Sequence, residues 1–289
     1  MSASGDNGKN VLKQYHNIKV LMYHMIVEDD EQFGFHWTNV SKEQFRKHPI
    51  LLDKWGFTPI TFRDYILFTK GQLQLPRKPV ILTFDDGYEE VYTIAFNMLK
   101  DMGWNAVVFV IGDQKIKMDL WNNRIGNRNP NLLNPEQIKE MQSAGFEIGS
   151  HSMSYLYLPN ETQRSAWYEI AKSKEELESL LGSDVHSFCY PYGAVNEQLK
   201  QMVKDAGYEI GCGVYTGPPR FGHDIFDVRR ITIPYGTDTF KFAIKLLTPF
   251  EYYEYVGSKV LHRNNDSYPA DGLEFLSEKA TKEKQTEPA

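Results

Sequence analysis

The sequence of 289 residues has only two cysteines, Cys189 and Cys212, which are too few for a disulfide framework. Both lie in apolar segments, which is typical of buried structural thiols. The apolar runs are only a few residues long, whereas a membrane-spanning helix needs ~20. The first residues also lack the apolar stretch of a signal peptide. We therefore expect no membrane span and a cytoplasmic protein, or a secreted one if the sequence is a trimmed form.

Basic residues are also in short supply. Lys and Arg number 32 against 38 Asp and Glu, which gives a formal net charge of −6 at pH 7. An acidic chain is poorly suited to bind the phosphates of nucleic acids, so we expect no nucleic-acid partner. Aromatic residues, in contrast, are plentiful at 13% of the chain. Flat rings suit the binding of sugars, although packing alone also explains their number.

The two ends of the chain differ in composition from the middle. Residues 1–16 and 264–289 are polar and have little to bury, so we expect a flexible N-terminal segment and a polar C-terminal tail. Between them, residues 17–263 have the composition of a folded domain and show no internal repeat. The oligomeric state cannot be derived from these features.

Short apolar runs alternate with helical patterns about seven times along this domain. The runs are rich in Val, Ile and Phe and too short for helices, so they predict strands at 18–23, 80–84, 106–111, 146–148, 187–190, 210–214 and 227–233. Helices are predicted from Ser41 onward and at 61–69, 88–102, 135–144, 161–181, 196–206 and 237–247. The alternation predicts an α/β fold with a mainly parallel sheet, open or closed, and with its chemistry at the carboxyl ends of the strands.

Two adjacent carboxylates, Asp85 and Asp86, follow the predicted strand at 80–84 directly and precede a glycine and a helix. Neighbouring acids repel each other, so such a pair at a buried strand end is costly unless a function uses it. A metal ion bound by one carboxylate, with the other left free as a base, would use both. The alternative is a helix N-cap, which needs only one Asp.

Two more predicted strands end in residues suited to chemistry. His151 follows 146–148, and a neutral imidazole is a common metal ligand as well as an acid or base at neutral pH. The turn at 190–193 follows the strand at 187–190. It is either an ordinary turn or a place where a backbone N–H stabilises an oxyanion while tyrosine rings contact a sugar.

Basic side chains adjoin the first and the last of the predicted strands. Arg229 and Arg230 occupy the last strand, where successive side chains point to opposite faces. One of them can therefore pair with a catalytic Asp, and the other is expected at the surface. His24 follows the first strand, at the same end of the sheet as the Asp pair.

At these residues the sequence resembles the polysaccharide deacetylases of the NodB-homology family, carbohydrate esterase family 4, and most of all their poly-N-acetylglucosamine deacetylase branch. The resemblance covers residues 18–247 and implies a distorted (β/α)7 barrel. The segments that carry it are TFDDG at 83–87, SHS at 150–152, YPYG at 190–193, LMYH at 21–24, ITFRDY at 60–65 and FDVRRI at 226–231.

The resemblance also implies a reaction, the metal-dependent removal of acetyl groups from N-acetylated amino sugars, with zinc as the usual ion. In that scheme Asp86 and His151 are metal ligands and Asp85 is the base that activates water. Arg230, or with less support Arg229, orients Asp85.

Further site residues follow from the same resemblance. His24 corresponds to a strand-end histidine near the catalytic site. Tyr192 lies in the turn whose backbone amide would face the oxyanion, and Tyr190 and Gly193 complete this part of the substrate site.

The sequence departs from the family pattern at Tyr155, which stands where the second motif has its second histidine. A phenol with a pKa of ~10 is a poor metal ligand, so we expect weak metal binding and assign Tyr155 to the substrate site. Cys189 replaces an arginine often found in the third motif. The C-terminal region has no clear Leu-x-x-His, and His262 is a doubtful substitute. The general acid is therefore unassigned, and His24 and His223 are open alternatives for a further ligand.

Three functions remain in contention. The first is a deacetylase of polysaccharides, supported by the Asp pair and His151. The second is a weakened or inactive carbohydrate-binding relative, supported by Tyr155. The third is a deacetylase of a soluble precursor, such as a sugar nucleotide or a lipid-linked sugar, which would suit a cytoplasmic protein.

Overall fold

The computed structural model describes residues 18–28, 36–121 and 129–261, with side chains as far as residue 257. Its centre is a curled sheet of parallel strands in the order β10-β1-β5-β6-β7-β8-β9, with β4 paired beside β5 and a separate two-stranded sheet of β2 and β3. The strands are β1 (Lys19–Tyr23), β2 (Ile26–Val27), β3 (Val40–Ser41), β4 (Thr58–Ile60), β5 (Pro79–Phe84), β6 (Val107–Val110), β7 (Glu147–Ser150), β8 (Ser187–Cys189), β9 (Ile210–Cys212) and β10 (Ile231–Thr232).

One stretch of chain joins the two edges of this sheet. Val228 forms a parallel bridge with Cys212 of β9, and Ile231 pairs with Leu21 of β1. The seven strands of the main path are the seven that the sequence predicts, and the fold is the distorted (β/α)7 barrel. The predicted strand at 227–233 is regular only over β10, because the chain changes its pairing partner from β9 to β1 within it.

Helices occupy the connections between the strands. They are α1 (Lys42–Lys54), α2 (Phe62–Thr69), α3 (Asn97–Asp101), α4 (Pro135–Ser143), α5 (Gln163–Leu181), α6 (Glu197–Asp205), α7 (Thr239–Leu247) and α8 (Phe250–Leu261). The predicted helix at 88–102 is partly π-helical, over Val91–Phe96, before α3 begins. The sequence analysis did not predict α8. None of the helices in the described ranges is long and apolar enough to cross a membrane.

The beginnings of the helices show how local sequence fixes their position. Thr61 and Asp64 form a reciprocal capping box at the start of α2, as Asn134 and Gln137 do at the start of α4. Ser41 and Gln44 in the sequence predict such a box at α1, and half of it is formed, since Ser41 Oγ accepts a hydrogen bond from the amide of Gln44 at 3.3 Å. Capped helices with defined first residues therefore connect the strands whose ends hold the candidate site residues.

Alternate strand residues face two different cores. Leu82 and Val108 belong to the larger cluster that the strands share with the helices, while Ile81 and Phe109 belong to a smaller cluster inside the barrel. Asp85 follows Ile81 by four residues, so the alternation directs its side chain to the inner face at the carboxyl end of β5. The proposed terminal segments at 1–16 and 264–289 lie outside the described residues, and the domain boundaries stay predictions.

Candidate active site

The strand ends singled out in the sequence meet in one pocket of about 240 Å³. Asp85 and Asp86 follow β5, His151 follows β7, His24 follows β1 and Arg230 precedes β10. All five line the pocket. The predicted convergence of the Asp pair with His151 at one end of the barrel is confirmed, whereas the catalytic roles of these residues stay predictions.

Arg230 holds Asp85 in a two-pronged ion pair. Its Nη1 lies 2.7 Å from Oδ1 and its Nη2 lies 2.8 Å from Oδ2. Nη1 also donates to Thr83 Oγ1 at 3.1 Å, and Nε donates to the carbonyl of Gly213 at 2.8 Å. Burial raises the pKa of Asp85, but the positive charge of Arg230 outweighs this effect, and the net pKa is below its usual value. Asp85 is therefore an ionised carboxylate in a fixed orientation.

The second arginine is not where the sequence analysis expected it. Arg229 is only 7% exposed, so the expected surface position is wrong. Its Nε donates to the carbonyl of Gly217 at 2.8 Å, and its Nη2 donates to the carbonyl of Tyr215. The two successive arginines do point to different partners, as alternation in a strand requires, but both partners lie inside the protein.

Asp86 and His151 form a pair suited to hold a cation. His151 Nδ1 lies 2.8 Å from the carbonyl of Cys189; because a carbonyl only accepts, Nδ1 carries the proton. In the neutral ring Nε2 is then a bare lone pair, and it faces Asp86 Oδ1 at 3.3 Å. That buried oxygen has no hydrogen-bond donor among the described residues. Two buried lone pairs facing each other fit a metal ion between them, or a proton on the ring.

The charge state of Asp86 agrees with this reading. Burial raises its pKa, but the close approach of His151 and the positive charge of a protonated His24 lower the pKa to about 2. Asp86 therefore offers a fully ionised oxygen at neutral pH, as a metal ligand must.

Another donor set lies close by, but it fits a metal ion less well. Ligand atoms of Asp85, His151 and Cys189 lie within 4.8 Å of one another. However, the guanidinium of Arg230 binds Asp85 and lies 3.1 Å from Cys189 Sγ, so a cation there would face a buried positive charge. Burial also raises the pKa of the Cys189 thiol to about 11, which keeps it from ionising. The Asp86–His151 pair is the better site.

Tyr155 lies beside this pair, as expected from its place in the sequence. Its ring is edge-on to His151, with centroids 4.9 Å apart, and it stacks on Trp121 at 4.4 Å. The i, i+4 spacing of His151 and Tyr155 in the sequence predicts a helical turn between them, and this prediction is wrong: the segment is not helical, and Tyr155 has a φ of 67°. Burial raises the pKa of Tyr155 well above its usual value, so the phenol stays neutral.

A buried acid supports the aromatic side of the pocket. Asp119 accepts a hydrogen bond from the Tyr88 hydroxyl at 2.8 Å and another from the amide of Trp121 at 3.1 Å. It thereby links the turn after the Asp pair to the ring that stacks on Tyr155.

The turn after β8 contributes side chains with different surroundings. Tyr190 is buried and donates its hydroxyl to the carbonyl of Phe226 at 2.9 Å. Tyr192 is 39% exposed, and its ring packs against Tyr155 at 4.9 Å. Gly193 also lines the pocket, where Tyr192 and Tyr155 together form an aromatic wall.

Left-handed backbone in residues other than glycine is concentrated around the site. Positive φ angles occur at Asp86 (72°), Ser152 (62°), Tyr155 (67°) and Tyr192 (60°), which are the non-glycine cases among the described residues. Such angles cost roughly 1–2 kcal/mol per residue and persist where surrounding contacts impose them.

The histidines considered as further ligands are placed differently. His24 is partly buried in the pocket, and burial lowers its pKa. His223 is exposed and is not among the residues that line the pocket. His262 lies outside the described residues.

Sequence reasoning missed two loops that line the pocket. Val214, Tyr215 and Thr216 come directly after β9, so the strand-end argument could have found them. The segment 36–38 reaches the pocket from the connection between β2 and β3, and no motif marks it.

An ionised carboxylate beside a pair suited to hold a cation is an arrangement that hydrolases use to activate water. Comparison with known families makes this class specific. A family model described as "Polysaccharide deacetylase" matches residues 72–211, which include Asp85, Asp86 and His151. Residues 72–211 are thereby identified as a polysaccharide deacetylase domain, as the motifs indicated.

Individual relatives agree with the family. The chain is 27% identical over 219 residues to the "Putative polysaccharide deacetylase YxkH" of Bacillus subtilis, covering 76% of this chain and 72% of that one. It is 26% identical over 219 residues to a poly-beta-1,6-N-acetyl-D-glucosamine N-deacetylase of Staphylococcus epidermidis, covering 72% and 71%. The crystal structure of a polysaccharide deacetylase from Bacillus cereus matches with a TM-score of 0.65 and 26% identity, covering 79% of this chain and 68% of that one.

Proposed function

We propose that the protein hydrolyses the N-acetyl groups of amino sugars in a polysaccharide, using a divalent metal ion, zinc by preference, held by Asp86 and His151. The observation that carries this proposal is the pairing of the two adjacent carboxylates with different partners. Asp85 is bound by Arg230, and Asp86 faces Nε2 of His151. One carboxylate is thus oriented as a base, and the other is available as a ligand.

When bound, the metal ion would supply a Lewis acid that polarises the acetamide carbonyl and favours deprotonation of water. Asp85 accepts the proton of the attacking water. Its Oδ1 accepts from Arg230 Nη1 and keeps a lone pair for this purpose, whereas Oδ2 accepts from both Arg230 Nη2 and the Cys189 thiol at 3.5 Å. Arg230 holds the carboxylate ionised and fixes its direction toward the pocket.

The turn at 190–193 is the candidate oxyanion site. The amides of Gly193 and Ala194 donate within the turn, at 2.9 and 3.2 Å, and Pro191 has no N–H. The amide of Tyr192 is left to face the oxygen of the acetamide as negative charge develops on it.

His24 is the candidate proton donor to the leaving amine. Burial lowers its pKa, so the ring is mostly neutral at neutral pH and must first take up the proton that it then passes to the amine. Water adds to the acetyl carbon and the C–N bond breaks, so that the products are acetate and a free amino sugar.

The charges of the pocket favour a neutral glycan over a sugar nucleotide. Among the described lining residues Arg230 is the one Lys or Arg, and its guanidinium is already bound to Asp85. A diphosphate would therefore find no free guanidinium or ammonium group in this lining and would be repelled by Asp85 and Asp86. The exposed ring of Tyr192, backed by the buried Tyr155, instead offers a flat apolar surface to a sugar ring.

A binding protein without catalysis is the second candidate, because Tyr155 replaces an imidazole. It is less well supported, since the buried Arg230–Asp85 ion pair and the Asp86–His151 pair are both present. Two ionised carboxylates buried side by side are costly, and binding alone does not need them. A cytoplasmic location stays a prediction.

The test is acetate release from poly-β-1,6-N-acetylglucosamine oligomers, chitin oligomers and UDP-N-acetylglucosamine, with and without added Zn²⁺, Co²⁺ or Ni²⁺. We expect metal-stimulated release from a glycan and none from the nucleotide, with Asp85→Asn as the inactive control. A folded protein that releases no acetate from any glycan with any of these metals would refute the proposal.

A further inference from the structure

The loop that follows β9 forms one side of the active-site pocket. We refer to residues 213–217 as the pocket loop; Val214, Tyr215 and Thr216 line the cavity. No regular secondary structure holds this segment. Its position, and with it the shape of the pocket, depends on contacts made by other parts of the chain.

Two successive arginines bind alternate carbonyls of the pocket loop. Arg230 Nε donates to Gly213 O at 2.8 Å, and Arg229 donates to the carbonyls of Tyr215 and Gly217, the latter at 2.8 Å. Arg229 thus fixes the distal half of the loop, while Arg230 fixes its beginning and also binds Asp85.

The pocket loop also lies directly against Asp227. A Cβ atom on Gly217 would come within 1.7 Å of the Asp227 carbonyl oxygen, and one on Gly213 within 2.3 Å of its Oδ1. Thr216 Oγ1 donates to the same Oδ1 at 2.7 Å. This close approach leaves the loop little freedom to shift as long as the arginine contacts hold.

Arg229 is itself enclosed. It is 7% exposed, and Tyr255 of α8 covers its guanidinium at 5.3 Å from the ring centroid. Removing a charged group from water is costly, and the hydrogen bonds to the pocket loop offset part of that cost. The helix that the sequence analysis missed therefore covers the residue that holds the pocket wall.

We propose that Arg229 is a positioning residue for substrate binding, which acts by setting the place of the pocket loop and does not touch the substrate. This inference rests on the proposed function for its substrate. Because the Arg230–Asp85 ion pair does not involve Arg229, loss of Arg229 weakens binding of the glycan and leaves the chemical step nearly intact. Arg230 differs, since its loss affects the base directly.

The test compares Arg229→Gln with Arg229→Lys and with Arg220→Gln as the matched control. Arg220 is exposed, lies in the same connection between β9 and β10, and does not line this pocket. For Arg229→Gln we expect KM to rise about tenfold with kcat within about twofold of wild type. Arg229→Lys keeps the charge but can bind fewer carbonyls, so its KM should lie between those of wild type and Arg229→Gln. Arg220→Gln should behave as wild type.

A second measurement separates binding from catalysis. Affinity for N-acetylglucosamine oligomers is measured in an Asp85→Asn background, with and without Arg229→Gln, and folding is checked by the melting transition. A folded Arg229→Gln protein with unchanged KM and affinity overturns this inference alone, as does a loss confined to kcat. A wild-type protein that binds oligomers but hydrolyses none refutes the proposed function, and its binding data still decide the role of Arg229. A wild-type protein that does neither overturns both proposals.

Discussion

The ring of Tyr155 meets the imidazole of His151 edge-on, with centroids 4.9 Å apart and ring planes at 88°. A phenol thus occupies the place beside the Asp86–His151 pair where the family motif has its second imidazole. The contact fixes the orientation of His151 through packing, but a neutral phenol adds little to the binding of a metal ion. Metal affinity and ring packing are therefore separable at this position.

The first prediction concerns this separation. Tyr155→His should raise zinc affinity on the order of ten- to a hundredfold, the range that a partner group in a metal site typically contributes. Tyr155→Phe keeps the ring and removes only the hydroxyl, so its zinc affinity should match wild type. Competition with a chromophoric chelator measures both variants. Equal affinities in all three proteins would show that another residue already completes the metal shell, and His24 would be examined first.

The second prediction separates the two adjacent carboxylates. Asp85→Asn should lower kcat by about 10²–10⁴-fold, because it removes the proton acceptor, and should leave metal content nearly unchanged. Asp86→Asn should lose both activity and metal, because it removes a charged ligand. Metal content is measured by elemental analysis of purified protein after dialysis against zinc. If both variants retain metal equally, the assignment within the pair is wrong.

The third prediction is a pH dependence of stability that originates away from the site. His48 is buried, its Nδ1 lies 3.1 Å from the Tyr23 hydroxyl and its Nε2 lies 3.1 Å from the carbonyl of Thr237. Burial lowers its pKa from 6.5 to about 4. The unfolded chain therefore takes up this proton at a higher pH than the folded protein does.

The contribution of His48 is therefore complete above pH ~6.5 and is lost as the pH falls toward 4, by about 3 kcal/mol for the 2.5-unit difference. Urea unfolding between pH 4 and 8 should show this decline in wild type and a flatter profile in His48→Gln. The exposed His223 provides the control, and His223→Gln should keep the decline. A profile in His48→Gln as steep as that of wild type would assign the effect to other groups.

The fourth prediction concerns the two thiols. Cys189 and Cys212 are both fully buried, and burial raises the pKa of each, that of Cys189 to about 11. Neither should react with an aromatic disulfide reagent in the folded protein, and both should react in denaturant. Cys189→Ser should leave one reactive thiol under denaturing conditions. Rapid reaction of one thiol in the native protein would show that this thiol is not enclosed in the barrel interior.

The central strands could be predicted because buried parallel strands read as short runs of Val, Ile and Phe. The strand β5 is such a run, and the structure extends it by one residue to Pro79. The strand β4 could not be predicted in this way, since it has three residues and Pro59 at its centre. The helix α8 was missed because it presents Tyr252 and Tyr253 to solvent, which weakens the pattern of an amphipathic helix.

The site residues also divide into those that the sequence could predict and those that it could not. Asp85, His151 and Arg230 were found because each adjoins a strand end, and the parallel sheet brings strand ends together. The burial of Arg229 could not be found, because it depends on Tyr255 of α8, a contact between elements that local patterns do not reveal. The pocket residues at 36–38 were missed for a related reason, since they come from an irregular connection.

The left-handed backbone at Asp86, Ser152, Tyr155 and Tyr192 sets stability and activity against each other. Glycine would adopt these angles without strain, yet at each position it would remove a side chain that faces or supports the pocket. The balance differs between positions: the packing of the buried Tyr155 ring outweighs its strain, whereas the ring of Tyr192 is 39% exposed and has less packing to lose. A laboratory screen for thermostable variants would therefore be drawn to Tyr192 first, and it would enrich proteins with an altered pocket unless turnover is assayed in the same round.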